Sequence, residues 1–371
     1  MVSTFPVLKT RLSNIIPRNA RLRPLIDPWR QRLRAASSIP ALGSLQTFEF
    51  RHETPHIGTR FPKSVQLSQV LTSPNSDVIL KDLATFVSHR GVVFFENQDI
   101  DVDGQKALGT RLGELAGKPA TSTLHIYPND YADSVRNEEL PPDVSRITSE
   151  GGVARTGYTH SARASEGWHS DTSFEPVPSD YAASSLSMIL KMHTLPSVGG
   201  DTLWASGYEA YDKLSPAYQR FVEGLTALHD APGIREELAM RKGNAIYGAR
   251  GSPENTGGLL QAIHPVVRTH PLTGFKTLFV NKFYTTRILE LTEDESSDVL
   301  NYLTRQVSDN HDLQIRFRWS QNDVAIWDNR CTLHTATIDY QGLRQGNRVV
   351  SVGEKPYFDP NSKSRRIALG I

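Results

Sequence analysis

Cysteine is almost missing from this chain. One residue, Cys331, stands among 371. An intramolecular disulfide and a Cys-rich zinc site are therefore both excluded, and the usage fits a reducing, intracellular compartment such as the cytoplasm. Long apolar runs are missing too. No stretch approaches the roughly 18 apolar residues of a membrane-spanning helix, so no membrane partner is expected. Neither sign of charge is in excess: 41 Lys and Arg face 40 Asp and Glu. That balance gives no reason to expect nucleic acid or an anionic lipid surface as a partner. No internal repeat is visible. Hydrophobic residues at 38% and charged residues at 22% fit a soluble globular protein. The length allows one large domain or two smaller ones and leaves a homo-oligomer open.

Residues 1–48 are short of acids. Lys9, Arg11, Arg18, Arg21, Arg23, Arg30, Arg32 and Arg34 face a single Asp27. An Arg-rich, Ser-containing, acid-poor N-terminus has the composition of a mitochondrial transit peptide. Pro6, Pro17, Pro24 and Pro28 argue against one long helix there. The alternative is a flexible or surface-wrapping extension. Residues 49–371 read as the folded domain.

Within that domain, Asp77 to Arg90 carries apolar residues at helical spacing and stops at Gly91. Val92 to Phe95 reads as a buried strand, and Asp103 to Ala116 as a second helix. Residues 118–166 are polar, Pro- and Ser-rich and weakly periodic, which predicts a lid loop in front of a site. Tyr181 to His193 and Asp201 to Trp204 read as strands, Gly207 to Leu228 as helical, and residues 231–258 as a loop or insertion. Ile263 to Thr269 and Lys276 to Val280 bracket a hairpin turn. Thr292 to Val307 is an amphipathic helix with Asp294 and Glu295 in its first turn. Leu313–Trp319, Asp323–Trp327, Thr332–Ala336 and Arg348–Gly353 are short strands. Many short strands separated by turns suggest a β core with helices outside.

The stretch that organises this pattern is Gly167-Trp168-His169-Ser170-Asp171-Thr172-Ser173-Phe174. In a strand, His169 and Asp171 would share a face roughly 6–7 Å apart, within reach of one metal ion. A distant second His would complete a 2-His-1-carboxylate facial triad, which suits Fe(II) in O2 chemistry. The bland alternative is a surface strand with two polar residues. His193, His229, His264, His270, His311 and His334 are the candidates for the third ligand. Beyond His334 come Arg344 and Arg348, whose rigid guanidinium forks match an anion. Ordinary solvated surface charge is the competing reading of both.

Several long motifs now fall in one order. They are Trp168–Phe174, Leu195–Trp204, His264–Pro271, and Asn322–His334 followed by Arg344, Arg348 and Gly353-Glu354-Lys355-Pro356. In this the chain resembles the TauD/TfdA family of Fe(II)- and 2-oxoglutarate-dependent dioxygenases, from about Phe48 to Phe358. The resemblance implies a mainly β fold with flanking α-helices around a double-stranded β-helix, or jelly roll. It implies His169, Asp171 and His334 as ligands of Fe(2+). It implies Thr202 and Arg344 on the distal carboxylate of 2-oxoglutarate. Arg348 then faces the substrate's anionic group near the other carboxylate. O2 would be consumed with 2-oxoglutarate, giving succinate and CO2. His125 and Tyr127 resemble substrate contacts of the taurine enzymes, although they stand two residues apart rather than three. Thr172 sits beside the ligands where Val is common, and Ser165 stands where those enzymes have Asn. The leading expectation is a small anionic substrate, most simply an alkylsulfonate split into sulfite and an aldehyde. The alternative keeps the chemistry and hydroxylates or desaturates a carboxylate or specialised metabolite. A third reading, a catalytically dead relative that only binds a small molecule, sits poorly with an intact triad and both arginines.

Overall fold

The computed structural model describes residues 42–115, 117–128, 140–150, 163–179, 188–240 and 248–371. All of these but Ile371 belong to one compact unit, residues 38–370. Residues 1–41 of the basic extension lie outside the described residues, as do parts of the 118–166 and 231–258 segments and Tyr181 to Ser187 of an expected strand. The folded part already includes a 3-10 turn at Gly43–Thr47. Its Leu45 is buried in the core, and Ser44 donates to the Asp82 carboxylate through both its N–H and its hydroxyl at 2.7 Å.

From there the chain runs β1 (Arg51–His52), β2 (Thr59–Phe61), α1 (Leu67–Thr72), α2 (Ser76–Arg90), β3 (Val92–Phe95), α3 (Val102–Leu115), β4 (Val144–Thr148), β5 (Met188–Thr194) and β6 (Thr202–Ser206). It continues through α4 (Gly207–Asp212), α5 (Pro216–Val222), β7 (Thr226–Asp230), α6 (Pro232–Met240), β8 (Gln261–Pro265), β9 (Val267–Thr269), β10 (Lys276–Leu278), β11 (Thr285–Ile288) and α7 (Glu293–Ser308). It closes with β12 (Gln314–Phe317), β13 (Val324–Trp327), β14 (Thr332–Ala336), β15 (Gln345–Val350) and α8 (Arg365–Leu369). A seven-stranded sheet has the order β1-β2-β3-β13-β5-β15-β4, and a three-stranded sheet the order β12-β6-β14. Strands β11-β7-β8 and β10-β9 form two smaller sheets. Among the described residues every pairing of these strands is antiparallel except β2 with β3.

Period-two alternation sorts the core into layers. On β3, Val93 and Phe95 join Leu80, Leu83, Leu108 and Leu112 of α2 and α3. Val92 and Phe94 point the other way and join Trp204, Ile315 and Phe317 of the three-stranded sheet. Strand β13 splits likewise, with Val324 and Ile326 in the helix-side cluster and Ala325 and Trp327 in the sheet-side one. Phe94 and Phe317 stack 4.0 Å apart across the sheets. Helix α2 ends at Gly91, whose φ of 73° lies in the left-handed region. A Cβ there would come within 2.8 Å of Thr332 Cγ2, on the strand that carries His334.

Several expectations need correction. The architecture is mixed α/β rather than mainly β. Gly207 to Leu228 does not continue as one helix. Pro216, capped by Ser215 Oγ accepting from Tyr218 N–H, starts a new helix, and beyond Gly224 (φ 85°) the chain enters β7. Part of residues 231–258, expected to be loop, is helix α6. Segment 118–166 is not all lid, since β4 forms the edge of the seven-stranded sheet beside β15. His125 N–H also donates to Val350 O at 2.7 Å. The amphipathic helix α7 is as expected, with a capping box between Thr292 and Glu295. Among the described residues no helix is long and apolar enough to cross a membrane.

Phe317→Ala removes the ring that bridges the two sheets and should cost about 3–5 kcal/mol of stability in urea unfolding. A loss below about 1 kcal/mol would mean that this core can close around the gap.

Candidate metal centre

The site begins with two backbone hydrogen bonds. His169 N–H donates to His334 O at 3.0 Å, and His334 N–H donates to His169 O at 2.8 Å. This isolated antiparallel bridge sets residues far apart in sequence side by side, with ring centroids 4.3 Å apart. Asp171 is not on a strand, as the spacing suggested, but in the turn that follows the bridge. Asn329 fixes that turn. Its Oδ1 accepts from Asp171 N–H at 2.9 Å, and its Nδ2 donates to Asp171 O at 2.9 Å and to Ser179 O at 2.8 Å. The turn needs Thr172 at φ 51°, a conformation uncommon for a β-branched residue. The Thr172 hydroxyl and the Ser179 N–H and hydroxyl bond one another across the turn and hold that backbone.

The outcome is a convergent donor set. Asp171 Oδ1 lies 3.3 Å from His169 Nε2, and Oδ2 lies 3.5 Å from His334 Nε2. One ligand atom from each residue lies within 4.8 Å of the others. His169 Nδ1 stands 2.7 Å from Gly167 O, so it carries the proton and leaves the Nε2 lone pair for a metal. His334 packs on Trp327 and Trp204. Burial, helped by neighbouring His169, pushes its pKa down to about 3, so it is neutral, as a ligand must be. Burial opposes ionisation of Asp171, but Arg348 and the two imidazoles outweigh it and hold the carboxyl well below its ordinary range. Two imidazole nitrogens and one carboxylate oxygen fit a divalent iron with open positions.

A second group, His270, Asp328 and Cys331, is equally close-set. Its bonds are already spoken for. His270 Nδ1 accepts from the N–H groups of Leu272 and Thr273, so Nε2 is the protonated nitrogen and donates to Asp328 at 2.8 Å. Arg330 holds the same carboxylate through Nε and Nη2. This cluster is a buried structural network.

The two arginines have different partners. Arg344, 6% exposed, donates from Nε to Gly200 O at 2.9 Å and from Nη2 to Thr202 Oγ1 at 3.2 Å. Trp319 Nε1 also donates to Thr202 Oγ1, at 3.0 Å. Gly200 has φ 74°, and a Cβ there would press on Arg344 Cδ at 3.0 Å. Arg348 Nη1 donates to Asp171 Oδ2 at 3.1 Å, and its guanidinium lies 5.5 Å from the centre of the Tyr127 ring. Tyr127 OH is 3.3 Å from Tyr284 OH. His125 is placed differently. Its buried ring faces Glu175 at 3.4 Å, and Arg250 grips the same carboxylate at 2.7 and 2.8 Å. Sequence reasoning missed Glu175, Arg250, Asn329 and Tyr284. Only Asn329, inside the Trp327–His334 run, carried any signal.

The pattern "Taurine catabolism dioxygenase TauD, TfdA family" matches residues 49–351. Among curated proteins, the chain is 46% identical to the alpha-ketoglutarate-dependent dioxygenase oryG of Aspergillus oryzae, over 88% of this chain and 94% of that one. It is 44% identical to the alpha-ketoglutarate-dependent dioxygenase btcD of Neocamarosporium betae, over 88% and 96%. It is 33% identical to an alpha-ketoglutarate-dependent sulfonate dioxygenase of Saccharomyces cerevisiae, over 82% and 67%. A crystal structure of a taurine dioxygenase from Burkholderia xenovorans superposes with a TM-score of 0.63 at 26% identity, covering 85% of this chain and 92% of that one. The close-set triad, the buried arginine beside Thr202 and these likenesses agree: the chain belongs to the TauD/TfdA family of iron- and alpha-ketoglutarate-dependent dioxygenases.

Proposed function

We propose that this dioxygenase hydroxylates or desaturates a carboxylate or another specialised anionic metabolite, and that an alkylsulfonate is not its main substrate. The observation that carries the choice is the ranking of relatives. Proteins 46%, 44% and 40% identical are named simply as alpha-ketoglutarate-dependent dioxygenases. Those named for sulfonates are 33% and 32% identical.

In this reading His169, Asp171 and His334 hold the iron. Arg344 and Thr202 hold the distal carboxylate of 2-oxoglutarate, and their mutual hydrogen bond leaves them ready to share an anion. Arg348 meets the anionic end of the substrate, with Tyr127 beneath it. Iron with 2-oxoglutarate and O2 supplies the oxidising power, and succinate and CO2 leave as co-products. The protein contributes position and a dry, charged environment. His125 and Thr172 support the site and do not touch substrate, because the His125 ring is committed to Glu175 and the Thr172 hydroxyl to Ser179. We also infer that the seven- and three-stranded sheets, joined by their common core, are the two faces of a double-stranded β-helix.

Asp171→Ala should abolish the visible band of the anaerobic Fe(II)–2-oxoglutarate complex while the circular dichroism stays native. The loss of metal affinity should exceed the roughly 10–100-fold typical of an outer-shell partner. A normal band would remove Asp171 from the ligand set. Arg344→Ala should keep the iron but weaken 2-oxoglutarate by about 2–5 kcal/mol, because a buried anion loses its charged partner. An unchanged 2-oxoglutarate requirement would end that assignment. In air, the best of a panel of carboxylates should drive succinate formation at a higher kcat/KM than any alkylsulfonate drives sulfite release. Sulfite from an alkylsulfonate at higher kcat/KM than any carboxylate would restore the sulfonate reading.

A further inference from the structure

Strand register brings a tryptophan to the hydroxyl of Thr202. Strand β12 pairs with β6 so that Phe317 stands opposite Thr202. Trp319 follows two residues later, and its buried ring joins the same core cluster as Phe317. It meets Phe317 edge-on at 5.1 Å and Trp204 at 6.1 Å, and these two rings hold the plane of the indole. Its Nε1–H donates to Thr202 Oγ1 at 3.0 Å. Trp204 and Trp327 belong to the same cluster, yet their indole N–H groups meet no acceptor among the described residues. The hydrogen bond of Trp319 is thus not a general feature of indoles in this core.

The partners of Thr202 Oγ1 can be counted. A hydroxyl offers two acceptor lone pairs and one proton. Trp319 takes one lone pair, and Arg344 Nη2, at 3.2 Å, takes the other. The two donors reach Thr202 from different segments. Trp319 comes from beyond the end of β12. Arg344 stands one residue ahead of β15, where its N–H donates to Ser149 Oγ at 2.9 Å and its Nε to Gly200 O. The proton of the Thr202 hydroxyl is what remains, and no acceptor for it stands among the described residues. Thr202 is buried. A buried hydroxyl that accepts twice is oriented and polarised as a donor. An anion beside it would be the acceptor that it lacks.

We propose that Trp319 is a positioning residue for the cosubstrate. By filling one lone pair of Thr202 Oγ1, its indole N–H directs the hydroxyl proton to the distal carboxylate of 2-oxoglutarate. Trp319 acts through Thr202 and not on the carboxylate itself. With the N–H gone, the free lone pair lets the hydroxyl turn away, and the anion loses a donor already aimed at it. This rests on the reading that Thr202 and Arg344 hold that carboxylate. Trp319 also lines a cavity of about 540 Å³ between residues 193–199 and 318–321. Truncation to Ala would extend that cavity toward Thr202, so the test keeps a ring in place.

The test compares wild type, Trp319→Phe, Thr202→Val and the double variant as anaerobic Fe(II) proteins, with Kd read from the visible band. The probes are 2-oxoglutarate and 2-oxovalerate, which has a methyl group where 2-oxoglutarate has its distal carboxylate. Trp319→Phe should weaken 2-oxoglutarate by about 3–10-fold and change 2-oxovalerate by less than about twofold. Thr202→Val should weaken 2-oxoglutarate alone, by about 10–100-fold, and adding Trp319→Phe to it should cost nothing further. Should Phe loosen the core, seen as equal losses on both acids, β-(3-benzothienyl)alanine at position 319 keeps the indole's shape without its N–H and must still lose 2-oxoglutarate selectively. An unchanged 2-oxoglutarate Kd in Trp319→Phe, an unselective loss with the isostere, or full additivity with Thr202→Val would overturn the proposal and leave the Thr202 assignment standing. If Thr202→Val binds 2-oxoglutarate as wild type does, or loses both acids alike, that assignment falls and this inference with it.

Discussion

Two reciprocal backbone hydrogen bonds between His169 and His334 are the constraint on which the site depends. They join the end of a 3-10 turn, Ala164–Gly167, to a strand near the C-terminal end of the core. Neither segment could aim its imidazole alone. Strand β14 is held by β6 across five paired residues. Ser170 Oγ donates to Thr332 O, and Thr335 Oγ1 donates to Ala164 O, so the bridge is braced on both sides. Asn329 then aims Asp171 at the pair. Preorganisation of this kind holds three donors in place before any metal arrives.

The strain that this requires is local and compensated. Thr172 adopts a left-handed conformation directly after Asp171. Ser179 bonds to its hydroxyl and to Asp171 O, and so over-determines the turn. A few residues on, Glu175 is buried with Arg250 and His125. Burial would raise its pKa, but Arg250 and His125 more than offset that and keep it ionised. A buried charge with good partners costs little, whereas the same charge left alone costs a great deal. The metal-binding stretch is thereby pinned to segments more than 40 residues away on each side.

The motifs were legible because iron, 2-oxoglutarate and backbone geometry each demand particular residues at particular positions. Spacing and family resemblance single out His169, Asp171, His334, Thr202, Arg344 and Arg348; the fold sets the first three together with Arg348 on Asp171, and Arg344 on Thr202. What was not legible follows from the same physics. Arg250 lies in a stretch without periodicity, and nothing local says that its charge is buried against Glu175. The strand β4 sits in a polar segment where edge pairing, not composition, decides the structure. Gly207 to Leu228 looked helical throughout because Ser215-Pro216 and Gly224, which divide it, act through capping and a positive φ. Phe283 and Tyr284 are ordinary aromatics in the sequence, and only the turn around Asn281 sets them against His169.

Electrostatics ties these parts together. Asp171, Arg344 and His334 are buried and His169 is half-buried, so unbalanced charge in the site is costly. In the proposed assignment iron(II), Arg344 and Arg348 bring four positive charges. Asp171, the 2-oxoglutarate dianion and a monoanionic substrate bring four negative ones. The site is therefore neutral only when cosubstrate and a singly charged acid are both present. Before that, Arg348 Nη1 donates to the Asp171 carboxylate. An arriving acid would let Arg348 share its fork between substrate and ligand, easing its hold on a donor that the metal also needs. A neutral substrate would leave one positive charge uncompensated and a dianion one negative charge. On this arithmetic the role proposed for Arg348 is to set the charge of the substrate.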